Sequence, residues 1–256
     1  MNAAQAKALA RLASEKNRYL MEGSWTRFFP LVAKLREIIT SGQIGSIRRV
    51  FSDHGRDLID ASTPATSRFV DPYQGAGGFL DLGHYSLLWC FLPLYNWKGG
   101  SEKLAPGVSG SMILEKRGFD VHSTAVLAWP DALMLYPLAV AVASTSLTSN
   151  TDRREDGAAG PATKIMGTQG TITIPAPCYR PTEFTVHQEN LKTTYTFPIT
   201  GYGMGWEVDS VARDIAAGKL ESSTMPLEET IQVMTVMDKL REISALKYPE
   251  ESEVIF

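Results

Sequence analysis

Residues 75–85 read Gly75-Ala76-Gly77-Gly78-Phe79-Leu80-Asp81-Leu82-Gly83-His84-Tyr85. A glycine-rich turn runs here into an apolar helix, and the sequence places Asp81 and Tyr85 four residues apart. Side chains at this spacing lie on one face of a helix, with Cβ atoms about 5–6 Å apart. We therefore expect a carboxylate and a phenol to converge on one small ligand.

The phenol of Tyr85 is a candidate proton donor and acceptor for an alcohol. Its ordinary pKa of about 10 must be lowered, usually by a neighbouring cation, before it acts as a base near neutrality. The stretch itself supplies no such cation. The alternative interpretation is that Tyr85 is a packed helix aromatic and Asp81 a first-turn carboxylate that the helix dipole favours.

Composition indicates an ordinary globular chain: 44% of its 256 residues are hydrophobic, 21% are charged, and the net charge is -3. Lys and Arg are scattered, which argues against a nucleic-acid partner. The longest apolar stretch, 125–143, contains Pro130 and Pro137 and predicts two strands around a turn, not a membrane span. We expect a cytoplasmic protein, because no secretory signal is evident. Cys90 and Cys178 show no metal-ligand spacing, so we predict no metal site.

The hydrophobic pattern predicts a fold of the α/β (α+β) class, with an open, mostly antiparallel sheet flanked by helices. The chain opens helix, strand, helix, with Asn2 as N-cap of the first helix and Tyr19-Leu20-Met21 as a short strand. Predicted helices span 2–17, 28–40, 78–94, 205–218 and 226–246. Predicted strands span 47–54, 110–114, 121–129, 133–142, 164–166, 171–174, 183–188 and 192–197. We interpret 149–163 as a surface loop.

Several motifs, in order over nearly the whole chain, resemble the Gfo/Idh/MocA oxidoreductase family. They are residues 21–30 (MEGSWTRFFP), 77–85 (GGFLDLGHY), 167–175 (GTQGTITIP), 220–227 (LESSTMPL) and 234–238 (MTVMD). Within the family they are most similar to the branch of dimeric dihydrodiol dehydrogenases and NADP-dependent D-xylose dehydrogenases. The resemblance implies a Rossmann domain that holds NADP and a C-terminal α/β domain whose open sheet carries the substrate and forms a homodimer.

The resemblance also implies roles for particular residues. Tyr85 stands at the position of the catalytic acid/base and Asp81 at that of a site carboxylate. Trp25 and Arg27 border the nicotinamide and substrate in the resembling enzymes; the alternatives are a core aromatic for Trp25 and a surface salt bridge for Arg27. His84 is a further substrate-binding candidate, although it lies one residue before the family's catalytic position and would point about 100° around the helix.

The sequence departs from the family at its beginning. A Rossmann domain opens with a strand, a G-x-G-x-x-G turn and a helix, and the chain contains no such fingerprint. The family's Glu-Lys-Pro segment, whose lysine lowers the pKa of the catalytic aromatic, is also missing, and Lys16 does not replace it. We therefore expect 1–45 to be a remnant of the last helix–strand–helix of a Rossmann domain and 46–256 to be the substrate-binding domain.

The implied function is NADP-dependent oxidation of a cyclic CH–OH substrate, such as a trans-dihydrodiol or D-xylose. Because the NADP-binding domain is absent from this chain, independent NADP binding is not expected. Two alternatives stay open. The chain is a cofactor-free isomerase, lyase or cyclase that uses the same cleft, or it is a non-catalytic dimeric binding protein.

Overall fold

The described part of the chain contains six α-helices and eight strands. The structure, a computed structural model, describes residues 2–97, 103–129, 139–151 and 160–255. The helices are α1 (Ala3–Glu15), α2 (Pro30–Thr40), α3 (Gly78–Asp81), α4 (Gly83–Phe91), α5 (Gly205–Ala216) and α6 (Leu227–Ile243). The strands are β1 (Ile47–Gly55), β2 (Gly107–Glu115), β3 (Phe119–Trp129), β4 (Ala139–Ser146), β5 (Thr163–Gly167), β6 (Thr171–Ile174), β7 (Glu183–Gln188) and β8 (Leu191–Thr196). No helix in these ranges is long and apolar enough to cross a bilayer.

The eight strands form one open sheet in the order β2-β3-β4-β1-β5-β6-β7-β8. Only the central β1–β4 pair is parallel, while every other neighbouring pair in the described sheet is antiparallel. Hairpin connections account for the β2–β3 and β7–β8 pairs, because consecutive strands joined by short turns must run in opposite directions. The predicted open, mostly antiparallel α/β sheet is confirmed.

Helices cover one face of this sheet, and the other face is open. Alternate side chains of the central strands are fully buried, among them Val50, Leu127 and Ala141, and α4 and α6 pack against β1, β4 and β2. The intervening side chains of Phe51 and Val142 are only half-buried. The alternation follows from the two-residue period of a strand, which sends successive side chains to opposite faces.

The beginning of the chain differs from the prediction in one element. Asn2 caps α1: its side chain accepts from the Gln5 backbone N–H, and the Gln5 side chain accepts from the Asn2 backbone N–H, as the sequence indicates. Tyr19-Leu20-Met21, however, is not a strand: it belongs to no regular element, and the Leu20 backbone N–H donates to the carbonyl of Leu220, at 3.0 Å. A strand requires a ladder of such bonds with a neighbour. This segment instead runs beside the connection between α5 and α6.

The predicted helix 78–94 is divided into three parts. α3 ends at Asp81, α4 begins at Gly83, and a π-helical turn follows at Leu92–Asn96. That last turn contains Pro93, which has no N–H to donate and so favours a change in the bonding pattern. The predicted turn around Pro130 and the first part of the strand 133–142 lie outside the described residues. So does most of the predicted loop 149–163.

Candidate functional site

A buried carboxylate fixes the turn that leads into the site. Gly77 has a φ of 121°, a conformation that side chains rarely adopt, and a Cβ on it would clash with Asp120 Oδ1. Asp120 lies on β3, and its Oδ2 accepts hydrogen bonds from the Phe79 backbone N–H, at 2.8 Å, and from Ser123 Oγ, at 2.6 Å. The glycine-rich turn therefore wraps around Asp120, which anchors the start of α3. Sequence reasoning missed Asp120, since Phe79 lies 41 residues away in the chain.

Tyr85 lies in the first turn of α4 and is half-buried. Its phenol oxygen accepts a hydrogen bond from the indole Nε1 of Trp25, at 2.9 Å. An indole N–H can only donate, so the hydrogen of the Tyr85 hydroxyl stays available for a ligand oxygen. The structure thus brings together two of the residues that the sequence singled out.

Aromatic rings surround the Tyr85 phenol. The ring of Tyr202 stacks on Trp25, with centroids 5.5 Å apart and an interplanar angle of 19°. Tyr179 contacts Tyr85 at 5.7 Å and Trp25 at 6.0 Å. The ring of His54, from β1, meets Tyr85 edge-on at 5.4 Å. These contacts form a mostly apolar wall with a few polar atoms, which is the usual composition of a small-molecule site.

Sequence reasoning missed His54, Tyr179 and Tyr202. His54 carried a weak signal, because it continues the inward alternation of Val50 and Ser52 along β1. Tyr179 and Tyr202 stand in loops after the strands that precede them, where no periodicity indicates which way a side chain points.

Asp81 lies close to the Tyr85 phenol but is tied to another residue. Its Oδ1 forms an ion pair with Nη1 of Arg68, at 2.7 Å. Its Oδ2 is buried and has no hydrogen-bond partner within the described ranges. A buried acceptor without a partner is costly, which makes this oxygen a candidate for a ligand hydroxyl.

The surroundings raise the pKa of the Tyr85 phenol above its ordinary value. Burial is the largest cause, and the nearby Asp81 carboxylate adds to it, while the hydrogen bond from Trp25 opposes both. Both raising effects disfavour a negative charge on the phenol oxygen. In this chain Tyr85 is therefore suited to donate a proton or a hydrogen bond near neutrality, and not to act as a base.

His84 points to a different set of partners from Tyr85. Its Nε2 lies 3.0 Å from Ser24 Oγ, and its Nδ1 lies 3.5 Å from Glu22 Oε1. It still borders the site, because its ring contacts that of Tyr85 at 5.4 Å. The structure therefore places His84 beside the phenol, with both ring nitrogens directed at protein groups.

Arg27 is not brought to the Tyr85 phenol. Its guanidinium forms two bonds with the carboxylate of Glu229, at 2.5 and 2.6 Å, and also donates to the carbonyl of Thr224. Side-chain exposure is 4% for Arg27 and 1% for Glu229. All these partners belong to the segment that leads into α6 or to its first turn. The structure thus gives Arg27 a buried ion pair in place of the expected contact with a ligand.

A separate cleft of about 640 Å³ lies between α2 and α5. Phe29, Arg36, Trp206 and Arg213 line it, and neither Trp25 nor Tyr85 does. We locate the candidate site at Tyr85 and not in this cleft, because Tyr85 combines a proton-donating hydroxyl with the hydrogen bond from the Trp25 indole and the nearby unsatisfied Asp81 oxygen.

The NADP that the resemblance implies needs a helix N-terminus whose N–H groups face the pyrophosphate. At α1, the Ala3 N–H donates to Asp238, at 2.8 Å, and the Gln5 N–H donates to Asn2, at 2.9 Å. α2 begins with Pro30, which has no N–H. The start of α3 is occupied by Asp120, as described above.

The remaining helices are no better suited to a pyrophosphate. α4 follows α3 after Leu82, with no preceding strand. α5 carries Glu207 in its first turn, and α6 carries Glu228 and Glu229. Carboxylates at a helix N-terminus compete with a bound anion for the same positive end of the dipole. The described residues therefore do not fit the pyrophosphate of NADP.

Comparisons with known proteins identify relatives of the chain. The model of the GFO/IDH/MocA C-terminal domain matches residues 32–173. The D-xylose 1-dehydrogenase (NADP(+)) of Hypocrea jecorina is 34% identical over 264 residues, covering 98% of this chain and 66% of that protein. The human trans-1,2-dihydrobenzene-1,2-diol dehydrogenase is 27% identical, covering 98% of this chain and 70% of that protein.

Solved structures show the same fold. The aldose-aldose oxidoreductase of Caulobacter crescentus superposes with a TM-score of 0.74 at 17% identity, over 95% of this chain and 67% of that one. The chain therefore spans about two thirds of the length of these relatives. The family model alone covers more than half of the 256 residues. The chain belongs to the GFO/IDH/MocA family of oxidoreductases.

Proposed function

We propose that this chain binds a small cyclic polyol or sugar at Tyr85, as the substrate side of an NADP-dependent oxidoreductase acting on CH–OH groups. The relatives named above are dehydrogenases of D-xylose and of a trans-dihydrodiol. The observation that carries the proposal is the 2.9 Å bond from Trp25 Nε1 to the Tyr85 oxygen. This bond leaves the hydroxyl hydrogen directed to a ligand.

Each residue of the site would make a different contact with such a ligand. Tyr85 donates its hydroxyl hydrogen to the reacting oxygen, and in the direction of carbonyl reduction it can supply the proton that the new hydroxyl needs. The unpaired Oδ2 of Asp81 accepts a neighbouring hydroxyl hydrogen. Trp25, Tyr179 and Tyr202 supply flat apolar surface that excludes water from the reacting carbon.

We further propose that these 256 residues bind NADP poorly by themselves. The support is the set of helix N-termini in the described ranges, where N–H groups are occupied, missing or faced by carboxylates. The contribution of this chain is then to bind and orient the substrate and to donate a hydrogen bond or a proton from Tyr85 to its reacting oxygen.

A titration of intrinsic fluorescence tests the polyol site, because Trp25 belongs to it. We expect D-xylose or a trans-dihydrodiol to change the tryptophan emission saturably, and Trp25→Phe to remove that change. Tyr85→Phe should weaken binding by about tenfold, the equivalent of one hydrogen bond of about 1.4 kcal/mol.

Tyr95→Phe is the matched control. Tyr95 is also a buried tyrosine with a side-chain partner, Glu228 at 3.1 Å, but it lies in the π-helical turn and has no ring contact with Tyr85. The affinity of Tyr95→Phe for the polyol should equal that of the wild type. Equal affinities for the Tyr85→Phe variant and the wild type would contradict the proposal.

A cofactor-free isomerase, lyase or cyclase is the second candidate function. The observation that favours it is the pair of imidazoles, His54 and His84, in ring contact with Tyr85, together with the lack of fit to a pyrophosphate. Incubating the chain with the sugar alone and recording proton NMR spectra separates the two functions. New sugar signals without any nucleotide support the second function, and unchanged signals support the first.

We also propose a homodimer formed through the open face of the sheet. The half-buried Phe51 and Val126 both lie beside Val142 in the strand register, so that three apolar side chains cross β1, β4 and β3. A contiguous apolar patch of this kind is typical of a protein interface.

A further inference from the structure

Two neighbouring side-chain contacts join the segment before α2 to the start of α4. Ser24 Oγ lies 3.0 Å from His84 Nε2, and Trp25 Nε1 lies 2.9 Å from the Tyr85 oxygen. Each pair is 60 residues apart in the chain. The two contacts therefore hold the same two segments side by side. The Ser24–His84 contact can then control the geometry of the Trp25–Tyr85 hydrogen bond.

A third residue extends the first contact. Glu22 Oε1 lies 3.5 Å from His84 Nδ1, and Glu22 Oε2 is buried with no hydrogen-bond partner in the described part of the chain. A carboxylate only accepts hydrogens, so in the neutral ring Nδ1 carries the hydrogen that faces Glu22. Nε2 is then the acceptor for the Ser24 hydroxyl. Glu22 thus favours the His84 tautomer whose Nε2 can accept a hydrogen bond from the Ser24 hydroxyl.

The order acid, histidine, serine is that of a hydrolase triad, but burial argues against a nucleophilic Ser24. Residue exposure at Ser24 is 1%, and its backbone N–H donates to Glu207 Oε1, at 2.7 Å. A nucleophile must reach the reacting atom of a ligand. The contacts therefore hold Ser24 in place instead of exposing it.

We propose that the Glu22–His84–Ser24 chain positions the Trp25 indole against Tyr85, with His84 as the positioning residue. Residues 18–23 belong to no helix or strand of the described chain, so side-chain contacts help to fix the position of the Trp25 indole. When His84 holds Ser24, the indole N–H points at the Tyr85 oxygen, and the hydroxyl hydrogen of Tyr85 is turned to the ligand. The consequence for a polyol rests on the proposed function, whereas the positioning itself does not.

Hydrogen exchange of the Trp25 indole N–H, followed by NMR in the absence of ligand, measures this positioning. The spectrum of Trp25→Phe assigns the signal. In His84→Ala the Trp25 indole should exchange about tenfold faster, as the loss of about 1.4 kcal/mol of local stabilisation predicts. Ser24→Ala should act in the same direction. His84→Gln, which can return a polar atom near Nε2, should restore part of the protection.

The indole of Trp89 is the internal control, since it donates to Cys178 O, at 3.0 Å, inside the core. Its exchange should not change in any of these variants. Unchanged exchange of Trp25, or equal acceleration of Trp25 and Trp89, would overturn the positioning role. Labelling of Ser24 in the wild type by a fluorophosphonate would overturn it in favour of a nucleophile.

The same protein samples separate this inference from the proposed function. If D-xylose and the dihydrodiol fail to bind the wild type, while His84→Ala still accelerates exchange at Trp25, the polyol function fails and the positioning role stands. If both ligands bind the wild type, and the Trp25 indole exchanges at the same rate in His84→Ala as in the wild type, only the positioning role fails.

Discussion

The Tyr85 phenol keeps its proton because nothing that faces it in the described chain favours the phenolate, apart from one indole. Burial and the Asp81 carboxylate both raise its pKa, and only the Trp25 indole acts in the opposite direction. A neutral phenol is a hydrogen-bond donor to a substrate oxygen. At the scale of the residue, Tyr85 is therefore a protonated hydrogen-bond donor, and nothing in the described chain lowers its pKa far enough for it to act as a base near neutrality.

The buried pair of Arg27 and Glu229 predicts a large effect on stability. Arg27→Met leaves the Glu229 carboxylate buried without its cation, which typically costs about 3–5 kcal/mol. Urea unfolding measures this loss. The double variant Arg27→Met/Glu229→Leu should recover most of it, because it removes the orphaned charge.

Arg11→Met is the control for the loss of a positive charge. Arg11 pairs with Glu15 at the surface, with 76% of its side chain exposed, so the change should stay within about 0.5 kcal/mol. A loss in Arg27→Met as small as that of the control would show that the buried pair contributes little.

Asp120 predicts a specific dependence of stability on pH. Burial raises the pKa of its carboxyl above the ordinary value of 3.8. In the window between that value and the raised folded value, the folded state binds more protons than the unfolded state, so Asp120 lowers stability as pH rises. The slope for one proton is about 1.4 kcal/mol per pH unit.

Asp120→Asn removes this contribution. The stability of the variant relative to the wild type should rise with pH through the window and become constant above the folded pKa. Urea unfolding across the acidic range measures both proteins, and Asp57→Asn, at an exposed position, controls for net charge. A stability difference that is constant with pH would contradict the raised pKa.

At the scale of the element, the glycine turn and the short helix α3 carry Asp81 and lead into Tyr85. Gly77→Ala should destabilise this element by about 1–3 kcal/mol, because its φ of 121° and the contact with Asp120 exclude a side chain. It should also weaken polyol binding, since α3 leads into the first turn of α4, which carries Tyr85.

Gly205→Ala is the matched control. A Cβ at Gly205 meets nothing within 4 Å, and the residue opens α5, so alanine should be neutral or slightly stabilising. Thermal unfolding measured by circular dichroism compares the two variants. Equal melting temperatures would show that the turn tolerates a side chain at Gly77.

Elements that depend on local pattern could be predicted from the sequence. The Asn2 cap of α1 and the alternation along β1 and β3 are examples, because a helix cap and a strand face are decided by residues a few positions apart. Tyr19-Leu20-Met21 was predicted wrongly as a strand, since a ladder also depends on a distant neighbour. The break of the helix at Leu82 was missed because the apolar spacing continues through it. There the Phe79 ring packs so closely on Gly83 that a Cβ would lie 2.6 Å from the ring.

The site was predictable only in part, for the same reason. The spacing of Asp81 and Tyr85 indicated a carboxylate near a phenol. Trp25 and Ser24 each lie 60 residues before their partners, Tyr85 and His84. Arg68 lies 13 residues before Asp81. Tyr179 and Tyr202 join the site through folding alone, and the alternation along β1 indicates only that His54 points inward.

At the scale of the whole molecule, the open face of the sheet predicts self-association. Val142→Glu places a charge in the apolar row with Phe51 and Val126, so it should convert a dimer to monomers in sedimentation equilibrium. Val208→Glu is the control, because Val208 is 64% exposed on α5, away from the sheet. A wild type that is monomeric at all concentrations would refute the proposed interface.

Calorimetry of the 256-residue chain, titrated separately with a polyol ligand and with NADPH, distinguishes a substrate site at Tyr85 from a nucleotide site. We expect saturable binding of D-xylose or a trans-dihydrodiol that Tyr85→Phe weakens, and only weak binding of NADPH. Binding of NADPH with a dissociation constant in the low micromolar range would contradict this expectation. So would a polyol affinity that is the same in Tyr85→Phe as in the wild type.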